Sequence, residues 1–454
     1  MKIKIIAVLA VLTLVSCHKF LDETPKGIVI PSKLADYNGL LNSPVLTQTF
    51  SPELLYMTDD IYVYTQTSNA TTTTNAYLWR TYINAESQNS PAIWGNLYNA
   101  IYFSNVIING AQNASDGSDA QRKQIYSEAL FLRAYCYLDL LTVFAKAYNP
   151  ATASTDPGLP LVTSTNVGEV APQRSSVQAV LDALTADLTK AAADLPLTNT
   201  NKYRVNKYAA YALLARIALY KADYVNAKAY AEQALIATHT TLNYNNYTTL
   251  SDIPKSAANP EVIFQRTSND YTIPFQLQYS DNLISYFGTQ PYSNSPDLRF
   301  RFFSAAYSDG ISPQTADGTY SNFGINFPEM DLTRAEVIAR SGDAGGAMTI
   351  VNTLRKNRIA TSSYTDLTAN NAAEALTVVL AERRRELAFK GLRWFDMKRL
   401  DREGRMPDVM RINRADATAG TPAQQIGDLP PGSSAYTFQI PSRVLQFNPG
   451  MTKN

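Results

Sequence analysis

The sequence predicts a mostly α-helical protein in which tetratricopeptide-like helix pairs form a scaffold that carries a large, loop-rich insertion. Apolar residues recur at helical spacing over residues 91–109 and 121–148, which predicts two long helices. A helix–turn–helix pattern that contains alanine occurs twice further along the chain. Between the two copies, residues 240–327 are rich in Tyr, Phe, Ser, Asn and Pro and show no sustained helical period, which predicts loops on a rigid scaffold.

The N-terminal residues have the pattern of a secretory signal peptide. Two lysines precede an apolar run from Ile5 to Val15, and this run is too short to span a bilayer. The four residues LVSC, which end at Cys17, resemble the lipobox of bacterial lipoproteins, in which the cysteine is acylated and becomes the first mature residue. We therefore expect a signal peptide over residues 1–16, a lipid-anchored tether over residues 17–31 and a single domain over residues 32–454.

Composition excludes several classes of protein. The chain has 40 Lys and Arg against 39 Asp and Glu, and this balance argues against a nucleic-acid partner. Cys136 is the second of the two cysteines, so the acylated chain cannot form an internal disulfide. Because Cys136 lies on an apolar helical stripe with Leu132 and Leu140, we expect a buried, inert thiol. No later segment approaches eighteen uninterrupted apolar residues, so we expect membrane attachment through the lipid alone.

The first half of the chain alternates between helices and polar segments. Helical spacing predicts a short helix from Leu34 to Leu41 and a longer one over residues 175–195, with Ser176 as its N-terminal cap. Residues 59–84 are rich in Thr, Asn and Tyr. They are too polar for a core and too aromatic for a spacer, so we expect a first loop-rich insertion there.

An internal repeat supports the helix-pair scaffold. Three residues recur with the same spacing: Ala215, Asp223 and Ala227, and then Ala335, Asp343 and Ala347. Alanine at these spacings lets two antiparallel helices approach closely, as in tetratricopeptide repeats.

The segment ERRRELAFKGLRWFDMKRL, residues 382–400, combines charge with apolar bulk at helical spacing. Arg383 lies on an apolar stripe, and Glu382 and Glu386 are close enough in sequence to pair with it. Gly391 offers a left-handed residue that ends a helix. We expect a structural ion-pair motif made of Glu382, Arg383, Glu386 and Arg393, with no acid–base task. After Leu400 the sequence predicts a packed, irregular tail.

No motif for catalysis, metal binding or cofactor binding is present. The two histidines, His18 and His239, are too few for a histidine-based triad or a zinc site. The chain has no G-x-S-x-G elbow, no phosphate-binding loop and no dinucleotide fingerprint. A glycosidase would need two carboxylates across a cleft, and the sequence singles out no such pair. We therefore expect a protein that is not an enzyme and that has no cofactor and no metal.

The insertions do offer aromatic faces interleaved with amide, hydroxyl and carboxylate groups. A sugar ring is held by stacking of its C–H face on an aromatic ring and by hydrogen bonds to its hydroxyls. Asp60, Trp79, Arg80 and Tyr82 have the side-chain types that this recognition requires. Tyr and Trp are also common packing residues at loop–helix junctions.

Several segments have the pattern of one known family: FLDETP after the lipobox cysteine, QIYSEALFLRAYCYLDLLTVFAKAY, EMDLTRAEVIARSGDAGGAMTIVNTLRKNR, ERRRELAFKGLRWFDMKRL and the tail from Tyr436 to Gly450. Together they resemble the SusD/RagB family of outer-membrane nutrient-binding lipoproteins. The resemblance spans the mature chain and implies the SusD-like fold. It also implies a position at the cell surface and a SusC-like TonB-dependent transporter as the partner to which glycans or peptides are delivered.

The resemblance also implies where a ligand would bind. The residues before the Trp94 helix and those from Tyr271 to Tyr292 correspond to the two regions that carry contacts in glycan-binding members. Because Trp94 and Trp394 fall within scaffold motifs, Trp79 is the one tryptophan left for a sugar platform. The candidate glycan contacts are Asp59, Asp60, Trp79, Arg80, Tyr82, Tyr271, Tyr286 and Tyr292.

Two functions are compatible with these patterns. The first is a surface lipoprotein, anchored in the outer membrane and facing the extracellular side, that binds oligosaccharide and delivers it to the transporter. The alternative is a helical-repeat scaffold that binds peptide or protein and has no sugar site.

Overall fold

The structure is a computed structural model that describes residues 31–63, 71–84, 92–268, 277–307, 310–318, 322–413 and 424–454. The predicted signal peptide, Cys17 and most of the predicted tether lie outside these residues. Helices account for most of the regular structure, and the strands are short. This architecture confirms the predicted mostly α-helical fold.

The helices of the described residues are numbered in chain order. They are α1 Leu34–Leu41, α2 Pro44–Thr47, α3 Glu53–Tyr56, α4 Thr72–Tyr77, α5 Ala92–Gly110, α6 Asp119–Phe144, α7 Val177–Asp194, α8 Lys207–Tyr220, α9 Tyr224–Leu235, α10 Asp281–Tyr286, α11 Leu298–Phe302, α12 Phe327–Arg340, α13 Ala344–Lys356, α14 Ala372–Glu386, α15 Arg393–Arg402 and α16 Ser442–Phe447.

The strands form two-stranded antiparallel pairs. They are β1 Ile61–Tyr62, β2 Pro157–Pro160, β3 Arg174–Ser176, β4 Val262–Phe264, β5 Gln278–Tyr279, β6 Ser304–Tyr307, β7 Gly310–Pro313, β8 Ile325–Asn326, β9 Val409–Asn413 and β10 Gln424–Leu429. The pairs are β1 with β5, β2 with β3, β4 with β8, β6 with β7 and β9 with β10. Most of them close loops of the insertion or the C-terminal region, so they shape the periphery of a helical frame.

The α6 helix is the centre of the main hydrophobic core. Its N-terminus has a capping box, in which the Ser118 hydroxyl accepts from the Gln121 amide and the Gln121 side chain accepts from the Ser118 amide. Nearly every residue after Ile125 is buried, and α5 and α7 both pack against the helix. Cys136 is a free, buried thiol in this core, as predicted, and burial raises its pKa to about 12.

The two sequence repeats form the predicted helix pairs, α8 with α9 and α12 with α13. Asp223 and Asp343 each cap the second helix of a pair by accepting from the backbone amide three residues on. The turn before each cap contains a residue in the left-handed region, Ala222 at φ 56° and Gly342 at φ 100°. The alanines of the motif are fully buried, and α9 packs against α12, so the two repeats stack on each other.

Two segments differ from the sequence prediction. The region after Leu400 is less irregular than expected, because β9 and β10 pair as an antiparallel ladder. Val409 lies opposite Leu429 at one end of the ladder, and Asn413 lies opposite Gln424 at the other. The 240–327 insertion contains short helices and strands, which include α10, α11 and the β6–β7 pair, besides its loops. Within the described part of the chain, none of the helices combines the length and apolar character needed to span a bilayer.

Candidate functional site

A strand pair brings the two predicted ligand regions together. Strand β1 pairs with β5 so that Ile61 lies opposite Tyr279 and Tyr62 lies opposite Gln278. Just beyond the pair, the Ser280 hydroxyl donates to the Asp59 carbonyl at 2.7 Å, and the Ser280 amide donates to the Asp60 carbonyl at 2.9 Å. Residues separated by more than two hundred positions in sequence therefore share one surface.

An open cleft of about 200 Å³ lies on this surface, between the β1–β5 pair, the start of α10 and strand β9. Its lining residues are Asp59, Ile61, Tyr62, Tyr77, Ser280, Asp281, Asn282, Pro407, Asp408, Val409, Met410, Arg411 and Ile412. We refer to this feature as the β9 cleft. It combines apolar, aromatic, amide and carboxylate groups.

Strand β9 provides the apolar wall of the cleft. Its side chains alternate, so that Val409 and Arg411 are buried whereas Met410 and Ile412 are 59% and 39% exposed. Both exposed residues are part of the cleft lining. Two neighbouring apolar side chains left open to solvent beside a concave surface are typical of a binding site rather than of a simple outer face.

Arg411 fixes the floor of the cleft. Its guanidinium donates to four backbone carbonyls, those of Tyr56, Thr58, Ile61 and Tyr77, over 2.7 to 3.2 Å. The same group lies 4.1 Å from the ring centre of Tyr77 and 4.3 Å from that of Trp79. Arg411 is thus fully engaged by the protein and holds residues 56–61 and the end of α4 under the cleft.

Asp59 and Asp60 lie beneath the cleft, and their carboxylates are occupied by arginines. Arg393 donates to both oxygens of Asp59 at 2.7 and 2.8 Å. Arg384 donates to Asp60 at 2.8 Å and to Asn282 at 2.7 Å. Burial alone would raise the pKa of Asp59, but Arg393 and Arg384 hold it below its usual range. Both aspartates therefore act as structural anchors in this conformation, and we do not propose them as direct ligand contacts.

The position of Trp79 corrects the expectation that its indole is an open sugar platform. The side chain is only 4% exposed, and its N–H donates to the Met57 carbonyl at 2.7 Å. One face packs against the Arg411 guanidinium. A buried ring cannot stack on a sugar, so Trp79 supports the cleft floor from below.

The other predicted ligand residues are spread over the neighbouring surface. Arg80 is exposed and donates to Asn75, and the Tyr82 side chain is half-buried. The half-buried Tyr286 ring is covered by the Arg384 guanidinium at 4.6 Å. The Tyr292 hydroxyl accepts from the Ala306 amide at 3.2 Å. Tyr271 lies outside the described residues. A ligand role for these five residues stays a prediction.

The predicted ion-pair motif lies behind the cleft, with partners that differ from the sequence expectation. Arg383 donates to Asp396 at 2.8 Å, rather than to Glu382 or Glu386. Those two glutamates instead accept hydrogen bonds from Arg299, at 2.7 Å for Glu382 and 2.9 Å for Glu386. The sequence identified the charged residues but not the long-range partner, because Arg299 lies in the insertion more than eighty positions away.

The network extends to a second buried arginine and to the cleft floor. Arg358 donates to both Glu386 and Glu261, and Arg393 forms the ion pair with Asp59. Burial would raise the pKa of Glu386, but Arg358 and Arg299 hold it down, to about 2. The arginine–carboxylate network thus ties helix α14 to the insertion and fixes the geometry of the cleft.

The sequence analysis missed the β9 wall altogether. The segment VMRIN, residues 409–413, alternates in the manner of a half-buried strand, and that signal was available. Its orientation is inverted relative to the usual pattern, because Arg411 is buried and Met410 and Ile412 are exposed. Among the described residues, no cluster of three or more His, Cys, Asp or Glu is arranged to hold a metal ion.

Two family sequence models match the chain. One, described as starch-binding and associating with the outer membrane, matches residues 19–219, and the other, the SusD family, matches residues 275–454. The chain belongs to the SusD/RagB family. No curated protein matches the sequence.

Solved structures of SusD-like proteins share the fold. A SusD superfamily protein of Bacteroides thetaiotaomicron has 17% identity and a TM-score of 0.76, and the match covers 93% of this chain and 99% of that one. A SusD superfamily protein of Bacteroides vulgatus has 18% identity and a TM-score of 0.74, with the same coverage of both chains. A SusD-like carbohydrate binding protein, also of Bacteroides vulgatus, has 18% identity and a TM-score of 0.70, with 93% and 98% coverage. These similarities confirm the SusD-like fold.

Proposed function

We propose that this SusD-family protein binds glycan or oligosaccharide nutrients in the β9 cleft and delivers them to a SusC-like TonB-dependent transporter. The observation that carries the proposal is the cleft itself. Two exposed apolar residues, Met410 and Ile412, line the cleft together with the polar residues Ser280, Asn282 and Asp408.

This combination matches the chemistry of a neutral sugar. A pyranose has apolar C–H faces that pack on Met and Ile side chains and hydroxyls that donate to carboxylates and amide oxygens. Asp408 is exposed at the rim and has no hydrogen bond to any described residue, so both of its oxygens are available to hydroxyl donors. Tyr62 and Tyr77 also line the cleft, but both are almost completely buried, so the apolar contact comes from Met410 and Ile412 rather than from an aromatic platform.

The comparisons support the same class of ligand. The family model matched by the first half of the chain is described as starch-binding, and one structural neighbour is described as a carbohydrate binding protein. We extend these descriptions to the present chain as part of the proposal.

Calorimetric titration of the purified protein with a panel of neutral oligosaccharides tests the proposal. The double variant Met410→Ala with Ile412→Ala removes the apolar wall, and we expect it to weaken binding of any oligosaccharide by about tenfold or more. Val225→Ala is the matched control, because Val225 is 81% exposed on α9 and does not line the cleft. An oligosaccharide that binds the double variant and the wild type equally would place the sugar site elsewhere.

A peptide panel run alongside separates the alternative function. Binding of peptide in the absence of any oligosaccharide binding would favour a peptide- or protein-binding scaffold over nutrient glycan capture. We also propose that the protein is not an enzyme, and we expect chromatography to recover every bound oligosaccharide intact after prolonged incubation.

We further propose that acylated Cys17 anchors the protein in the outer membrane, facing the extracellular side. The proposal rests on the lipobox-like sequence and on the outer-membrane association stated for the family. The Cys17→Ser variant tests the anchor, because it lacks the thiol that would be acylated. We expect the variant to move from the membrane fraction to the soluble fraction, and retention in the membrane would contradict the lipid anchor.

A further inference from the structure

A second cavity, with Tyr279 of β5 in its wall, shares no lining residue with the β9 cleft. Its volume is about 150 Å³, and it lies between the insertion and the turn that follows α14. Aromatic rings contribute much of its wall: Tyr244, Tyr279, Phe287, Phe303, Phe323 and Phe389. Phe303, Phe389 and Lys390 are half-buried, so the cavity is accessible from solvent at this side.

The turn after α14 is constrained in a way that brings two side chains to the cavity. Phe389 has φ 58°, a left-handed conformation that non-glycine residues rarely adopt. Gly391 has φ 78°, and a Cβ there would clash with the Phe50 ring. Such strain is maintained only where the surrounding structure requires it. Here it sets Phe389, edge-on to Tyr279 at 4.6 Å, next to Lys390 in the cavity wall.

The other charged groups in the lining already have partners within the protein. They are Arg299, Arg385, Glu261, Glu386 and Asp317. Arg299 and Arg385 donate to Glu382, and Glu386 accepts from Arg299 and Arg358. Glu261 accepts from the Leu242 amide and from Arg358. Asp317 accepts from both the amide and the hydroxyl of Ser256.

Lys390 differs from all of them. Its ammonium group has no hydrogen bond and no ion pair with any residue of the described ranges. It lies close enough to the wall for its charge to act on the Glu386 carboxylate, which is itself occupied by Arg358 and Arg299. Among the described residues of the lining, Lys390 is therefore the one cation without a hydrogen bond or ion pair. A half-buried ammonium without a partner favours an anionic ligand.

We propose that this cavity is a second binding site that takes a ring-sized organic carboxylate, with the Lys390 ammonium pairing with the carboxylate. The rings of Phe389 and Phe303 pack against the body of the ligand. A volume of about 150 Å³ accommodates one six-membered ring. Both a free small acid and the terminal acidic residue of an oligosaccharide have this chemistry.

Calorimetric titration with glucuronate and benzoate, and with glucose as the neutral match of glucuronate, tests the proposal on the purified protein. A ligand of this size is expected to bind with a Kd of about 1 mM. Lys390→Met keeps most of the length of the side chain and removes its charge, and we expect it to weaken binding of the acids by about tenfold or more. Lys390→Arg keeps the charge and is expected to retain binding.

Two controls locate the effect. Lys228→Met removes an exposed lysine on α9, paired with Glu232, and is expected to leave acid binding unchanged. The Met410→Ala, Ile412→Ala double variant should also leave it unchanged, because those residues line the other site. The acid-binding site and the proposed glycan site can therefore fail independently, because the glycan proposal concerns only the β9 cleft.

Titration with an oligosaccharide that ends in glucuronate shows whether the ligand is a free small acid or the terminal acidic residue of an oligosaccharide. If it binds more tightly than free glucuronate and depends on Lys390, the site takes a terminal sugar acid, and if only the free acids bind, it takes a small acid. Either result supports the proposal. Absence of binding of all the acids at about 10 mM would overturn it. Equal binding of the acids to the wild type and to a folded Lys390→Met variant would also overturn it.

Discussion

Replacement of Glu386 by Gln tests the arginine–carboxylate network that joins α14 to the insertion. The Glu386 carboxylate receives Arg299 at 2.9 Å and Arg358 at 3.0 and 3.1 Å, and it is almost completely buried. Gln keeps the shape of the side chain but removes the charge. Both arginines would then be left buried with fewer negative partners, and such loss is strongly destabilising.

The pKa of Glu386 gives the expected magnitude. The carboxyl group has a pKa of about 2 in the folded protein and an ordinary value of 4.5. At about 1.4 kcal/mol for each unit of pKa, the ionised group contributes about 3 kcal/mol to the free energy of unfolding near pH 7. Because the folded pKa is lowered, this contribution is fully present above pH 4.5 and is lost as the pH falls through 2.

Urea denaturation followed by circular dichroism measures the effect. At pH 7 we expect Glu386→Gln to lower the free energy of unfolding by about 3 kcal/mol. The difference from the wild type should shrink progressively as the pH is lowered below 4.5. Glu232→Gln is the control, because Glu232 is 45% exposed in a surface pair with Lys228 and should change stability by less than about 1 kcal/mol.

Two results would refute this reasoning. The first is a Glu386→Gln variant that is as stable as the Glu232→Gln control at pH 7. The second is a difference from the wild type that does not change between pH 7 and pH 3, since the effect would then not arise from the ionised carboxylate.

Two further predictions concern the frame around the site. Trp79→Ala should destabilise the protein by about 3 to 5 kcal/mol, because it removes a buried ring and the N–H bond to Met57; a thermal melt unchanged from wild type would show that the ring is not part of the core. Gly391→Ala should cost more stability than Gly432→Ala in urea denaturation. Both glycines have positive φ, but only at Gly391 would a Cβ clash with a neighbouring ring. Equal losses would mean that the clash at Gly391 relaxes.

The helical scaffold was accessible from the sequence because its determinants are local. The Leu34–Leu41 helix has the predicted bounds, and Ser176 caps α7 by accepting from the Ala179 amide. The two aspartate-capped helix pairs follow from a repeat that is visible in the chain itself. Periodicity and capping depend on residues within a few positions of one another, so a single sequence is enough to identify them.

The site was harder to predict because it depends on contacts distant in sequence. The sequence indicated which two regions contribute, and the β1–β5 pair does bring them together. It could not show that Asp59 would be occupied by Arg393, more than three hundred positions away. The sequence also could not show that the buried Arg411 guanidinium would cover the Trp79 ring, while Met410 on the same strand would be exposed. Which face of a short strand points outward is decided by packing, and composition alone does not determine it.

A crystal structure of the protein with a bound oligosaccharide, chosen from the titration panel, tests the central claim most directly. We predict that a sugar ring lies against Met410 and Ile412 and that its hydroxyls donate to Asp408, while Trp79 stays buried beneath the floor. A sugar bound elsewhere on the protein, with the β9 cleft unoccupied, would contradict the proposed function.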